Sequence, residues 1–193
     1  MTLPTPAPAE AAPDAGLDAG LAAALTELPL KDMEGALLAT ALLRAVDPLD
    51  GQHVVRRAVE LAGYLHRDAT RARRGPLPRD SYITHPLRGA LRLHRWGVTD
   101  LDVLVAAVLH DVVEDAAPEL LALAGLPVPD DDATAAASAL HDVIAPAFGS
   151  RVAHLVSAVS NPAGPRRPTP RSAAGPTAST CSRRSAATPR CCW

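Results

Sequence analysis

One helix, predicted between Asp100 and Asp115, constrains the fold of this chain more than any other feature. Its apolar residues recur at the spacing that places them on one broad face of an α-helix. They are Leu101, Leu104, Val105, Val108, Leu109 and Val112. Asp100 belongs to the residue types that cap helix N-termini. Because other elements must cover so wide an apolar face, we expect this helix to be well buried.

The rest of the chain also carries helical rather than alternating patterns. Aromatic residues make up only 3% of a chain that is 48% hydrophobic, so the core must be built from leucine, valine and alanine, which favours helices over sheets. Helical spacing is found over 21–46, 52–73 and 86–97, in a short helix that follows an acidic loop within 129–149 and stops at Pro146 or Gly149, and over 150–162, with Asp50 a candidate cap and Gly97 a candidate helix end. The final helix is predicted to bury Val152, Leu155, Val156 and Val159. No strand pattern is convincing, and we predict an all-α bundle.

Composition changes sharply at both ends of the predicted domain, which we place at 31–162. Residues 1–30 are rich in alanine and proline and are predicted to form a disordered leader. Residues 163–193 contain arginine, proline and serine but no leucine, isoleucine, valine or carboxylate, and are predicted to form a disordered tail. This tail is either a natural basic segment or the product of a frame-shift, and we favour the frame-shift.

Charge and targeting signals exclude several classes of function. The net charge is −2, so no overall basic field attracts nucleic acid or a membrane surface. No apolar run approaches the roughly 20 residues of a membrane span, and the N-terminus lacks the features of a signal peptide. The three cysteines all lie in the predicted tail, where they cannot staple the domain. A cytoplasmic protein is the expectation.

Four titratable residues crowd the end of the predicted central helix. His110 and Glu114 are four residues apart, as are Asp111 and Asp115, and at this spacing side chains are neighbours on a helix surface. Crowded carboxylates raise each other's pKa unless a cation neutralises them. This pattern indicates a divalent metal site, and His85, at a predicted loop-to-helix junction, is a candidate further donor.

Four motifs in this order resemble the HD-domain metal-dependent phosphohydrolases, and most closely the RelA/SpoT-type hydrolases of guanosine tetraphosphate (ppGpp). They run from about Arg57 to Pro162 and read AGYLHRDATR, YITHPLRGALRL, AAVLHDVVEDA and FGSRVAHLVSAVSNP. The chain departs from the family pattern at Ala69, Ser81 and Ala116, where glutamine, proline and threonine are usual.

The resemblance implies a role for each of several residues. It makes His85, His110 and Asp111 ligands of a metal, for which it favours Mn²⁺. It makes Glu114 and Asp115 the catalytic pair. The substrate's phosphates would be held by arginines, namely Arg71, Arg73 and Arg74. The implied reaction removes the 3′-pyrophosphate of ppGpp, a nucleotide of the stringent response. His66 matches a family histidine for which we expect a structural or pocket-lining role.

One implied ligand has no counterpart in this chain. The family completes its metal site with an aspartate on a later helix, but no carboxylate follows Asp142. We therefore expect weak metal binding and reduced or absent hydrolysis. An alternative function is that of an inactive HD-domain remnant that binds a nucleotide or a protein partner without turnover.

Overall fold

The predicted central helix lies at the middle of the fold. In the computed structural model, which describes the backbone of residues 13–71 and 80–160, α5 contacts four other helices. The helices are α1 (Pro13–Glu27), α2 (Gly35–Val46), α3 (His53–Leu65), α4 (Thr84–Arg95), α5 (Leu101–Leu123), α6 (Asp132–Ser138), α7 (Ala145–Phe148) and α8 (Ser150–Val159). A 3-10 turn (Leu30–Asp32) precedes α2, and a π-helical turn (Ala139–Ile144) joins α6 to α7.

The apolar face of α5 is buried as its spacing predicts. Leu104, Val108, Leu109 and Val112 have no exposed surface, and α3, α4, α6 and α8 pack around the helix. At its start the Asp100 carboxylate accepts a hydrogen bond of 3.1 Å from the Asp102 backbone N–H, which confirms the predicted cap. The all-α prediction is also confirmed for the described residues.

The end of α5 is kinked one residue after Asp115. Ala116 has the non-helical angles φ −135° and ψ 20°, although the helix continues to Leu123. Pro118 explains the break, because it has no N–H to donate to the Glu114 carbonyl four residues earlier. The straight portion of the helix therefore ends where the sequence pattern placed the helix end.

The predicted disordered leader is wrong for the part that the structure describes. Residues 13–27 form α1, and Leu25 is buried against the bundle. Arg95 fixes the end of α1 by donating hydrogen bonds to the backbone carbonyls of Leu25 and Leu28, at 2.7 and 3.0 Å. The packed bundle therefore begins before residue 31. Residues 1–12 and the predicted tail lie outside the described residues.

Four further predictions need correction. The helix expected over 52–73 ends at Leu65, and its N-cap is Gln52, so Asp50 does not cap it. Beyond it lies a short antiparallel pair, β1 (Thr70–Arg71) and β2 (Asp80–Ser81), where no strand was predicted. Val159, predicted to face inward, is 59% exposed at the end of α8.

In the described part of the chain, no helix has the length and apolar character that a membrane span requires.

Candidate metal centre

His110 and Asp111 are neighbours in the straight part of α5, and their side chains contact each other. The Nδ1 of His110 lies 3.0 Å from the Ala107 carbonyl oxygen. Because that oxygen can only accept, Nδ1 must carry the hydrogen. The other nitrogen, Nε2, lies 2.9 Å from the Asp111 Oδ1. If His110 is neutral, a lone pair on its Nε2 faces a lone pair on the Asp111 Oδ1. A proton or a cation must therefore lie between these two atoms.

His85 approaches the same carboxylate from the first turn of α4. Its Nε2 lies 3.8 Å from the Asp111 Oδ2, and its ring meets the His110 ring edge-on with the centroids 5.6 Å apart. The preceding turn is fixed by the buried Thr84, whose hydroxyl donates to the Ser81 carbonyl at 2.8 Å. Two helices that are distant in sequence therefore bring their donors together at one point.

The three side chains form a group with the dimensions of a metal site. One ligand atom from each of His85, His110 and Asp111 lies within 4.8 Å of the other two. Ligands of a bound divalent cation are separated by about 3–4 Å, given bonds of about 2.0–2.2 Å. Small side-chain movements would bring the three atoms to that separation, and these residues could hold a metal ion.

The electrostatics of the group favour an anion flanked by histidines. Burial acts to raise the pKa of Asp111, but the hydrogen bond and charge of His110 outweigh it, and the pKa is lowered. The hydrogen bond to Asp111 raises the pKa of His110 more than burial lowers it. Asp111 is only 6% exposed. The carboxylate thus keeps its negative charge inside the protein.

A second, independent observation indicates that the three donors fit a divalent cation. The Oδ2 of Asp111 is buried and has no hydrogen-bond partner, although such atoms are nearly always satisfied in folded proteins. No lysine or arginine of the described residues forms an ion pair with Asp111. Two imidazole nitrogens and a carboxylate oxygen suit Mn²⁺, Fe²⁺ or Zn²⁺.

Glu114 and Asp115 lie on the last straight turn of α5, next to the metal group. Both side chains are exposed. Glu114 has a minor influence that raises the pKa of His110, so its charge acts on the site from the solvent side. The structure places the pair where the sequence predicted, and its catalytic role stays a prediction.

The predicted phosphate-binding arginines lie at the edge of the described part or beyond it. The backbone of Arg71 belongs to β1, and this strand follows the end of α3 near His66. The Arg71 side chain and both Arg73 and Arg74 lie outside what the structure describes, so their role stays a prediction.

His66 is more closely associated with the site than sequence reasoning indicated. It is 2% exposed and its ring stacks against Tyr82 with the centroids 4.9 Å apart. Burial lowers its pKa, while the Asp111 charge acts in the opposite direction. Its Nε2 is buried without a hydrogen-bond partner. His154 is exposed on α8 and is not part of the group.

Two clefts lie away from the metal group. One, of about 510 Å³, is formed by α1, α2 and α4 around Leu25 and Arg44. The other, of about 440 Å³, lies between α3, α5 and α7 around Tyr64 and Phe148. Neither cleft is lined by His85, His110 or Asp111.

Comparison with known proteins gives one partial similarity. The chain is 37% identical over 107 residues to a protein of Mycobacterium leprae (strain TN) named "Probable GTP pyrophosphokinase". The match covers 55% of this chain but only 10% of that protein. No family model matches the chain, and no solved structure matches it. This similarity suggests a relationship to the RelA/SpoT family without establishing membership.

Proposed function

We propose that this chain is a metal-dependent phosphohydrolase that removes the 3′-pyrophosphate of ppGpp. The observation that carries the proposal is the convergence of His85, His110 and Asp111 on one point, with a buried carboxylate oxygen that no protein group satisfies. Such a donor set is typical of sites that hold a borderline divalent cation. By its resemblance to the HD-domain hydrolases, the ion would be Mn²⁺.

A phosphate ester repels nucleophiles, so its hydrolysis needs both charge neutralisation and an activated water. A divalent cation held by the three residues would supply both, since it neutralises phosphate oxygens and lowers the pKa of water. Glu114 and Asp115, next to the group, would orient the attacking water and accept its proton at a carboxylate oxygen. Water is consumed, the bond between the 3′-oxygen and phosphorus breaks, and the products are GDP and pyrophosphate.

Recognition of the substrate would fall to the arginines of the segment that joins α3 to α4. Arg71, Arg73 and Arg74 are close in sequence to His66 and precede His85. Guanidinium groups bind phosphate oxygens through paired hydrogen bonds. We infer that these arginines hold the phosphates of the nucleotide while the histidines and Asp111 hold the metal.

The Mycobacterium leprae protein is named for a reaction that adds pyrophosphate to GTP, whereas the proposed reaction removes pyrophosphate from a guanine nucleotide by hydrolysis. Its name therefore supports a link to ppGpp chemistry but not to hydrolysis. Because the match covers 10% of that protein, the activity in its name need not reside in the matched part. The His/His/Asp group is what favours hydrolysis here.

A second candidate function is binding of a nucleotide or a protein partner without turnover. The number of metal ligands in the described group favours it. The described residues assemble three donors, whereas the family resemblance implies four. A missing anionic ligand would weaken both charge compensation and the fixed geometry on which catalysis depends. Under this reading the chain binds Mn²⁺ weakly and turns over ppGpp slowly or not at all.

Pyrophosphate release from ppGpp, measured with the full chain and Mn²⁺, separates these possibilities. Any turnover should be slow, should disappear in His110→Ala and should persist in His154→Ala, a matched change of an exposed histidine. A parallel assay with GTP and ATP would detect pyrophosphate transfer. Hydrolysis that is equal in the wild type and His110→Ala would contradict the proposed function. Binding of ppGpp in the presence of Mn²⁺ without turnover would favour the second function.

A further inference from the structure

Two buried polar atoms stand out because neither has a hydrogen-bond partner. Among the described residues that are not solvent-exposed, these are the Nε2 of His66 and the Oδ2 of Asp111. One is a potential donor and the other an acceptor. Leaving either atom unsatisfied in the interior costs free energy, so their occurrence together calls for an explanation that covers both.

The two atoms belong to side chains that share one buried region. His66 ends α3 and Asp111 lies on α5, and these two helices pack against each other. Each group is affected by the charge of the other: Asp111 counteracts the effect of burial on the pKa of His66, and His66 contributes to the lowered pKa of Asp111. No direct hydrogen bond joins the two side chains.

His66 is held too firmly to be an incidental neighbour. Its backbone N–H donates to the Ala62 carbonyl, and its carbonyl accepts from the Ala69 N–H, each at 3.0 Å. Tyr82, which follows β2 in the sequence, packs its ring against that of His66 at an interplanar angle of 35°. Its backbone N–H donates to the Ala69 carbonyl at 2.9 Å. The ring therefore has a fixed position beside Asp111, whereas packing alone would be served by an apolar ring.

We propose that His66 is a positioning residue for the metal centre, acting on Asp111 through one enclosed water. The Nε2–H of His66 donates to the water, and the water donates to the Asp111 Oδ2. Both atoms are then paired, as buried waters commonly achieve, and the second lone pair of the Oδ2 stays available to the cation. The carboxylate is held in the orientation in which it faces His85 and His110. This inference rests on the proposed cation site.

As a consequence, the three ligands should bind the metal with higher affinity than they would without the bridge from His66. Groups that hydrogen-bond to a ligating carboxylate fix its orientation, and their loss typically weakens metal binding about 10- to 100-fold. His66→Phe removes the N–H but keeps a ring to stack on Tyr82. His66→Gln retains an N–H donor without the ring. The two variants therefore separate hydrogen bonding from packing.

Titration of the full chain with Mn²⁺ alone, followed by electron paramagnetic resonance, tests the inference. We expect His66→Phe to raise the Kd about ten-fold, His66→Gln to recover most of this loss, and His154→Phe, a change at an exposed histidine, to leave the Kd unaltered. A structural role would lower the melting temperature of both His66 variants without changing the Kd of the folded protein. An unchanged Kd in His66→Phe, or an equal loss in His66→Gln, would overturn the inference.

A metal-free measurement keeps this test separate from the proposed function and does not require a variant of His66 to fold. Nitrogen-15 NMR of the wild type should show the His66 proton on Nε2, and the ring signals should shift in Asp111→Asn. A proton on Nδ1 of neutral His66, or signals that do not respond to Asp111→Asn, would refute the water bridge. If the wild type binds no Mn²⁺, the proposed cation site fails, and the NMR result alone decides the inference.

Discussion

Two clusters of acids lie along α5, but among the described residues only the first cluster pairs with a lysine or arginine. At the start, Arg151 of α8 donates to Asp100 at 2.9 Å and to Asp102 at 2.8 Å. Further along the helix, no lysine or arginine of the described residues pairs with Asp111, which faces His85 and His110. The first cluster is complete within the protein, whereas the second has the composition of a site for an external cation.

The helix dipole sharpens this contrast. Acids near a helix N-terminus are stabilised by the partial positive charge there, and acids near the C-terminal end are destabilised. Asp100 and Asp102 are therefore placed well for stability. Asp111, Glu114 and Asp115 lie beyond the first turn of α5, where the dipole does not stabilise them, so their position suits a binding site rather than a fold-stabilising one.

The largest expected effect is on metal binding at the second cluster. Asp111→Asn removes the only anionic ligand of the described group and should weaken Mn²⁺ binding at least 100-fold, or about 2.7 kcal/mol. Asp100→Asn, a matched change at the first cluster, should leave Mn²⁺ affinity unchanged. Isothermal titration calorimetry measures both. Equal weakening by the two variants would mean that the clusters do not differ in the way we describe.

The next expected effect is stabilisation of the fold by the metal. A ligand that binds only the native state at 100 times its Kd stabilises it by about 2.7 kcal/mol. Mn²⁺ should therefore raise the melting temperature of the wild type, and a chelator should reverse the rise. Arg151→Met should respond to Mn²⁺ as the wild type does, while Asp111→Asn should not respond. A metal response in Asp111→Asn would place the ion elsewhere.

A smaller effect is expected when α5 loses its N-terminal cap, Asp100. Asp100→Ala removes the side chain that accepts from the Asp102 N–H, and loss of such a cap typically costs about 1 kcal/mol. Urea unfolding of the metal-free protein measures this change. Mn²⁺ affinity should stay the same, because the cap lies far along α5 from His110. A change in affinity would show that the two ends of the helix are coupled.

The sequence predicted the central helix well because its information is local. The apolar spacing from Leu101 to Val112 and the cap at Asp100 depend only on neighbouring residues, and both are confirmed. The meeting of His85 with His110 and Asp111 depends on how α4 packs on α5, which helical periodicity does not specify. The need for a further metal donor made His85 a candidate, the family resemblance assigned it to the same site, and the structure does bring the three residues together.

Other features were missed because their signals were weak or nonlocal. α1 has no marked apolar face, and of its side chains that the structure describes only Leu25 is buried, so alanine and proline content outweighed helix propensity in the prediction. The strands β1 and β2 have two residues each, too few for any alternation to show. The closeness of His66 to Asp111 again depends on the packing of two helices.

The smallest expected effect concerns the pH dependence of the first cluster. The hydrogen bond from Arg151 lowers the pKa of Asp100 below its ordinary value of 3.8. A carboxylate with a lowered folded-state pKa stabilises the fold above its unfolded-state pKa, and this contribution is lost as the pH falls through the folded-state value. Arg151→Met removes the partner, so its stability deficit relative to the wild type should be present at neutral pH and shrink below about pH 3.8.

Because the ion pair is exposed, the deficit should amount to a few degrees of melting temperature at most, and added salt should reduce it. Thermal unfolding of both proteins between neutral and acidic pH measures the difference. A deficit that grows on acidification would mean that Arg151 stabilises the helix through contacts other than Asp100 and Asp102.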